Sequence, residues 1–413
     1  MFRRTAFVVV LVLALMLTTV SVFAQDEGLL IWTDDTRAPI VEELGAFFTA
    51  ELGIPVSVQQ LGFGDIRDQL KTAGPAGEGP DIIIGAHDWL GELVANGLIV
   101  PVDLGDMAED FTPASVQAFT FNGELYGLPY VTENVAFIYN PELVPEAPTS
   151  WEEVRAITEE LVASGASTYG YVRQESDPYH FYPIQTAFGG YIFGVDEEGN
   201  YDPEDLGVDN EGSIAALQWF SDMVADGYQP PSVDYDVMHA LFESGDAAMI
   251  VTGPWALERI RLSGVPYAVT NLPDGPAGAG RPFLGVQAFM ISAFSENQDI
   301  AESFLLDFVA NPDIELTVTV GEQEFTGAPL TLLGLARPSA YLPALELTED
   351  EDFVAFGIAG AAADPMPAIP EMSSVWTAWG DAITLVAQGQ VTAEEAFTTA
   401  GEQIRTLIAQ AAQ

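Results

Sequence analysis

Residues 80–94 read PDIIIGAHDWLGELV: an unbroken apolar run, Ile82 to Ile84, followed at once by His87, Asp88 and Trp89. A strand with no polar interruption suits a sheet covered on both faces, as parallel sheets are. In such sheets the loops leaving the carboxyl ends of the strands form the ligand crevice. His87, Asp88 and Trp89 stand where that strand delivers side chains to it. Asp88 is equally a good helix N-cap, and the helix that follows is expected to start near it and to stop at Gly97.

The same grammar extends outward. GLLIWTDD (28–35) reads as a first strand ending in Thr33, Asp34, Asp35, Thr36 and Arg37, of which Asp35 or Thr36 could also be a cap. Pro39 suits the first turn of a helix reaching about Glu51; IPVSVQQLG (54–62) is a second strand, Ile66 to Ala73 a second helix, and GPAGEGP (74–80) a loop. Short apolar strands alternating with amphipathic helices predict α/β layers with largely parallel strands. Further on, FNGELYGLPYVTENVAFIYN (121–140) carries a tight turn at Asn122-Gly123 and then an extended stretch able to leave one lobe and enter another. TSWEEV (149–154) opens a helix with a capping box from Ser150 to Glu153. SDPYHFYP (176–183) reads as an aromatic, proline-broken loop, and residues 210–227 as a helix burying Ile214, Leu217, Phe220, Met223 and Val224. AAMIVTGPWALERI (247–260) repeats the pattern of the opening stretch: strand, glycine, then Trp255 at a helix start.

The 413 residues exceed what one hydrophobic core usually serves, so two lobes are expected. Apolar residues at 48% and charged ones at 18% mark a globular chain. Its 62 acidic and 12 basic side chains give a charge of −50, which argues against nucleic acid and anionic lipid as partners and suits a solubility or high-salt surface. Arg3 and Arg4 precede an apolar run from Ala6 to Leu17, and Val22 and Ala24 fit a signal-peptidase site. Residues 1–24 are therefore expected to be a cleaved signal peptide; the run is short for a retained membrane anchor. Its loss would take the charge to −52 and leave a periplasmic or extracellular protein. No cysteine is present to carry a lipid or a disulfide, and His87, His180 and His239 stand singly, so neither a zinc site nor any other metal or cofactor is expected.

Taken in order, LLIWTDD, LGIPVSV, GPDIIIGAHDWLGEL, NGELYGLPY, IYNPELVPEAPTSWEEV, GVDNEG, FESGDAAMIVTGPWA, FLGVQAFMIS and MPAIPEMSSVWTAW make the sequence resemble the maltose and maltodextrin-binding family of extracellular solute-binding proteins. The resemblance implies a two-lobe α/β fold with three interlobe crossings, near Val131 to Val135, Phe283 to Val286 and Ala336 to Tyr341. It implies an N-terminal lobe of residues 25–132 and 287–337 and a C-terminal lobe of 133–286 and 338–413. A sugar would be clamped between them by a hinge motion and handed to the permease subunits of a membrane ABC importer, by a monomer without catalysis.

Carried over residue by residue, the resemblance implies ligand contacts at Asp88, Glu133, Asp177, Tyr179, Trp255, Met366 and Trp376, with Asp34, Asp35 and Arg37 aligning loosely. Gly85 stands where the maltose binder has Trp, and Trp89 and Gly380 where it has Arg, which leaves the sugar open: trehalose, another disaccharide or a non-glucose oligosaccharide are alternatives. The residue types support a neutral carbohydrate in their own right. Flat rings (Trp89, Tyr179, Trp255, Trp376) meet the C–H face of a sugar, and carboxylates (Asp88, Glu133, Asp177) accept its hydroxyl donors. An anionic ligand would need several cations, and only Arg37 is expected nearby. The competing reading from another class, an exported glycoside hydrolase, would cast Asp88 and Glu133 as acid and base.

Overall fold

The computed structural model describes residues 28–196, 200–320, 323–334 and 337–411; the expected leader, residues 1–24, lies outside them. The strand that opened the argument, Ile82–Ala86, lies inside a sheet ordered Asp364–Pro365, Phe283–Ile291, Ile82–Ala86, Leu29–Thr33, Val56–Gln60, with Leu128–Glu133 also paired to Phe283–Ile291. Both faces are covered. Ile82 and Ile84 pack with Ile31, Leu44 and Phe48, whereas Ile83 packs with Trp32, Ile66 and Leu90 on the other side. Each isoleucine withdrawn from water in this way contributes on the order of 1.5–3 kcal/mol.

A second sheet runs Ala268–Thr270, Ala136–Tyr139, Ala247–Thr252, Tyr169–Val172. The expectation of largely parallel strands needs correction, because both sheets are mixed. Leu29–Thr33 is parallel to each of its neighbours, but Phe283–Ile291 runs antiparallel to Ile82–Ala86 and to Leu128–Glu133. In the second sheet only Ala247–Thr252 and Tyr169–Val172 are parallel. The reversal has a physical cause: a strand that re-enters a sheet from the other lobe arrives from the opposite direction.

Among the described residues the chain leaves one sheet for the other at residues 134–135 and between Thr270 and Phe283; beyond Ala344 it packs in the second core before Asp364–Pro365 pairs again with Phe283–Ile291. Phe283–Ile291 pairs in the first sheet over its length, and Ala340, Tyr341 and Ala344 pack in the first core, before Phe353 and Phe356 join the second. The two lobes also share packing behind the cleft. A Cβ on Gly91, in the helix Leu90–Ala95, would lie 2.5 Å from the Pro370 nitrogen.

Local signals mostly hold. Ala38–Leu52 is helical with Pro39 in its first turn and ends at Gly53 in the left-handed region (φ 72°), and Ser150 accepts from the Glu153 N–H. Two loop expectations fail. The second helix spans Phe63–Ala76, so it includes Gly74 and Pro75; there a Cβ on Gly74 would meet the Phe294 ring at 2.6 Å. The SDPYHFYP stretch belongs to a helix, Pro178–Ala187, with Asp177 as its N-cap and Pro178 in its first turn, where proline loses nothing.

His87 and His239 are buried and doubly hydrogen-bonded. His87 Nδ1 accepts from the Val286 N–H (3.1 Å) while its Nε2–H donates to the Met366 carbonyl (3.1 Å), tying the end of Ile82–Ala86 to the strand Phe283–Ile291 and to the segment after Asp364–Pro365. His239 Nδ1–H donates to the Tyr235 carbonyl and Nε2 accepts from the Thr252 hydroxyl. Burial pulls His87 down to about 4 and His239 to about 3. The stability such a neutral imidazole contributes is complete above its unfolded value and is lost as pH falls toward the folded one. From about pH 7 to about pH 5 the loss is about 2 kcal/mol per group, taking an unfolded value of about 6.5. Urea unfolding at the two pH values should therefore show a smaller drop for His239→Gln than for the parent; equal drops would contradict the assignment.

Candidate functional site

Four strands deliver polar or aromatic side chains from their carboxyl ends to one cavity of about 570 Å3, which falls in the ~300–1,000 Å3 range of small-molecule sites. From the first lobe come Asp34, Asp35 and Arg37 after Leu29–Thr33, and Asp88 and Trp89 after Ile82–Ala86. From the second come Asp177 and Tyr179 after Tyr169–Val172, and Trp255 after Ala247–Thr252. Glu133 ends the strand at the first crossing, and Met366 and Trp376 close the ring. All eleven sequence-derived site residues thus line the same cavity.

The lining rings Trp255, Tyr179 and Trp376 are linked through Phe283, which is itself buried behind them. Trp255 and Tyr179 have ring centroids 6.1 Å apart, Tyr179 and Phe283 6.1 Å, and Phe283 and Trp376 6.1 Å. Trp89 packs against another lining ring, 4.7 Å from Phe63. Its ring explains Gly85, since a Cβ there would sit 2.1 Å from the Trp89 indole. The room that a small residue at 85 suggested is therefore filled from position 89. Nor does Gly380 open space, because its Cβ would meet the Ser176 carbonyl oxygen at 2.7 Å.

Most of the carboxylates are already engaged. Glu133 accepts from Arg37 (3.1 Å) and Gln287 (2.9 Å) on one oxygen and from Arg337 (3.1 Å) on the other. Asp34 accepts the Thr36 and Arg37 N–H groups and pairs with the Arg37 guanidinium. Burial alone would raise the Asp34 pKa, but Arg37 and Arg337 outweigh it and hold the carboxyl below its usual range. Asp177 Oδ1 accepts the Tyr179 N–H (2.7 Å) and the His180 N–H (3.2 Å); Oδ2 faces Gln174 and His180 Nδ1 (2.8 Å). Capping, offered as an alternative for Asp88, is not what it does: no N–H of the following helix bonds its side chain. Instead Asp88 accepts from Trp376 Nε1 at 3.0 Å, a bond across the cleft.

Several lining residues were not singled out from the sequence. Phe63 and Arg67 lie on the helix after the second strand, where the carboxyl-end rule would have found them. His180 follows the cap at Asp177, and Gln287 and Arg337 reach the site only through long-range folding. The expectation that Arg37 is the only nearby cation is corrected by Arg67 and Arg337. Even so, three guanidiniums face six carboxylates (Asp34, Asp35, Asp88, Glu133, Asp177, Asp236), and each guanidinium is paired with an acid. The lining has no spare cation for an anionic ligand.

Burial pushes the Asp88 carboxyl up to about 6, against the opposing pull of Arg67 and the Trp376 N–H. Removing that donor must raise it further. Carboxyl carbon NMR should show Asp88 titrating near 6 in the parent and higher in Trp376→Phe; an unchanged or lower midpoint would show that the bond does not form in solution.

Residues 43–321 match the family described as bacterial extracellular solute-binding protein. The chain is 29% identical over 385 residues to a galactooligosaccharide-binding protein of Bacillus subtilis (strain 168), covering 91% of this chain and 88% of the relative. It is 31% identical over 326 residues to a maltotriose-binding protein of Pyrococcus abyssi (strain GE5 / Orsay), covering 76% and 66%. It is 26% identical over 390 residues to the maltodextrin-binding protein MdxE of Bacillus subtilis (strain 168), covering 91% and 90%.

Proposed function

The chain belongs to the bacterial extracellular solute-binding protein family, and on that premise we propose that it captures neutral oligosaccharides of the maltodextrin or galactooligosaccharide type and delivers them to an ABC importer. The observation that carries this reading is the lining of one interlobe cavity by the rings of Trp255, Tyr179 and Trp376, backed by the buried Phe283, among acid-rich polar groups with no unpaired guanidinium. Sugar C–H faces stack on such rings and sugar hydroxyls supply the donors that acceptors need. Asp34, Asp35, Arg37, Asp88, Trp89, Glu133, Asp177, Tyr179, Trp255, Met366 and Trp376 are the ligand-facing set in this reading.

Each lobe offers half of the set, so contacts accrue fully only when the cleft is shut, and that difference in affinity drives closure. Glu133 suits neither role in glycoside hydrolysis, because both its oxygens already accept from Arg37, Gln287 and Arg337. Export by the leader at residues 1–24, action outside the membrane as a monomer, and lobes divided near the three crossings complete the reading. Among the described residues no helix is long and apolar enough to cross a membrane.

A thermal-shift series of mono-, di- and oligosaccharides identifies the ligand by the rise in melting point that folded-state binding produces. Trp376→Ala should weaken that ligand by ~1–3 kcal/mol in calorimetry without unfolding the protein, the scale of losing an aromatic anchor. Unchanged affinity would remove Trp376 from the site. Small-angle scattering should show a smaller radius at saturating sugar, and an unchanged radius would count against hinge closure.

A further inference from the structure

Several buried side-chain atoms among the described residues lack a hydrogen-bond partner, and two of these belong to residues lining the cleft: Nε2 of His180 and Oε1 of Gln287. Both side chains are buried, each 4% exposed. Buried polar atoms are rarely left unpaired, so an orphan beside a cavity points to a partner that the ligand brings.

What each orphan can do is fixed from behind by a carboxylate. His180 Nδ1 faces both Asp177 Oδ2 at 2.8 Å, an acceptor-only group, and Gln174 Nε2 at 3.1 Å, which itself donates to that oxygen; the shorter contact to the charged acceptor places the ring proton on Nδ1 and leaves Nε2 its lone pair. The ring itself is held edge-on against Trp255, with centroids 5.7 Å apart and planes at 86°. Gln287 Nε2 donates to Glu133 Oε1 at 2.9 Å, which orients the amide and leaves Oε1 as the unpaired end. His180 stands on the second-lobe helix Pro178–Ala187 and Gln287 on the first-sheet strand Phe283–Ile291.

We propose that His180 Nε2 and Gln287 Oε1 are the specificity-determining acceptors of the site, one from each lobe, and that they select a ligand bringing a hydroxyl donor to each. The inference rests on the reading of the cleft as a sugar site and deepens it. The neighbouring carboxylates Asp177 and Glu133 then act as positioning residues, because their oxygens are taken up in fixing these two acceptors. A site built this way discriminates strongly against an analogue that lacks the hydroxyl, since the acceptor is then left buried and unpaired.

The test uses the full mature chain with maltotriose and galactotriose as probes. His180→Phe keeps a flat ring and removes the acceptor; Gln287→Leu keeps the volume and removes the amide. Each should weaken the bound probe about tenfold or more in calorimetry, the scale of one lost hydrogen bond to a buried group, while circular dichroism shows the parent fold. Nitrogen NMR of the parent should show the His180 Nε2 unprotonated when free and shifted on sugar addition, a change that a purely structural imidazole would not give. Parent affinity in both variants, or an Nε2 signal unmoved by bound sugar, would overturn the proposal and leave the sugar reading standing. Absence of binding by the parent to either probe would bring down both, and is read before any variant is made.

Discussion

The floor of the cleft depends on one buried charge, Glu133, which is 4% exposed and held between Arg37 and Arg337. Arg37 reaches back to Asp34 and to the Tyr130 hydroxyl (2.8 Å), and Arg337 donates to the Thr36 hydroxyl (2.5 Å). The network therefore joins the end of the first strand, the first crossing and the segment before the last crossing. Removing one partner from such a network strands a desolvated charge at a cost of roughly 3–5 kcal/mol, so these segments are positioned together or not at all. Cations are scarce in a chain with 12 of them against 62 acids. Among the described residues Arg173 makes no ion pair. Its guanidinium donates to the Glu175 and Asp177 carbonyls and lies over the Phe181 and Phe220 rings. It thereby fixes the loop that presents Asp177 and Tyr179.

The two lobes solve one problem in the same way. In each, a buried strand ends in a glycine or near one, passes through a single 3-10 turn, and folds a tryptophan back over that glycine. Trp89 lies over Gly85 and Trp255 over Gly253, where an added Cβ would sit 2.1 Å from each ring. The indoles are pinned by backbone they could not approach if a side chain intervened. Rigid plates are what a stacking surface requires, since a ring that must be ordered on binding gives back part of its contact energy as entropy.

Why the lining was largely legible in the sequence follows from this geometry. Asp34, Asp88, Asp177 and Trp255 each lie within five residues after a strand, and a strand's carboxyl end has a fixed address in an α/β sheet. Gln287 sits inside a strand whose other residues are mostly buried and apolar, and nothing local distinguishes an inward polar position from a satisfied core amide. Arg337 meets Thr36 across 301 residues of sequence. The helix Pro178–Ala187 was read as a loop because its two prolines and four aromatic or imidazole rings outweighed Asp177-Pro178, a cap and first-turn pair that favours a helix start. Gly85 and Gly380 are the complementary case. The sequence shows an absent side chain, whereas only the fold shows that Trp89 and the Ser176 carbonyl occupy the vacated space.

The bond from Trp376 Nε1 to Asp88 sets what a ligand must offer. It spans the cleft with no ligand involved, so a sugar hydroxyl that takes its place at Asp88 exchanges one charge-assisted bond for another, and only the difference counts. The same holds at Asp34, Asp177 and Glu133, whose oxygens are already supplied from within the protein. Net affinity must then come from groups to which the protein itself supplies no partner. In the proposed reading these are the partly buried rings of Trp255, Tyr179 and Trp376, which would gain by covering an apolar sugar face, and the acceptors of His180 and Gln287, which would gain a partner. On that reading the carboxylates, the most conspicuous groups in the sequence, would decide orientation, and the rings and the two uncharged acceptors how tightly the ligand is held.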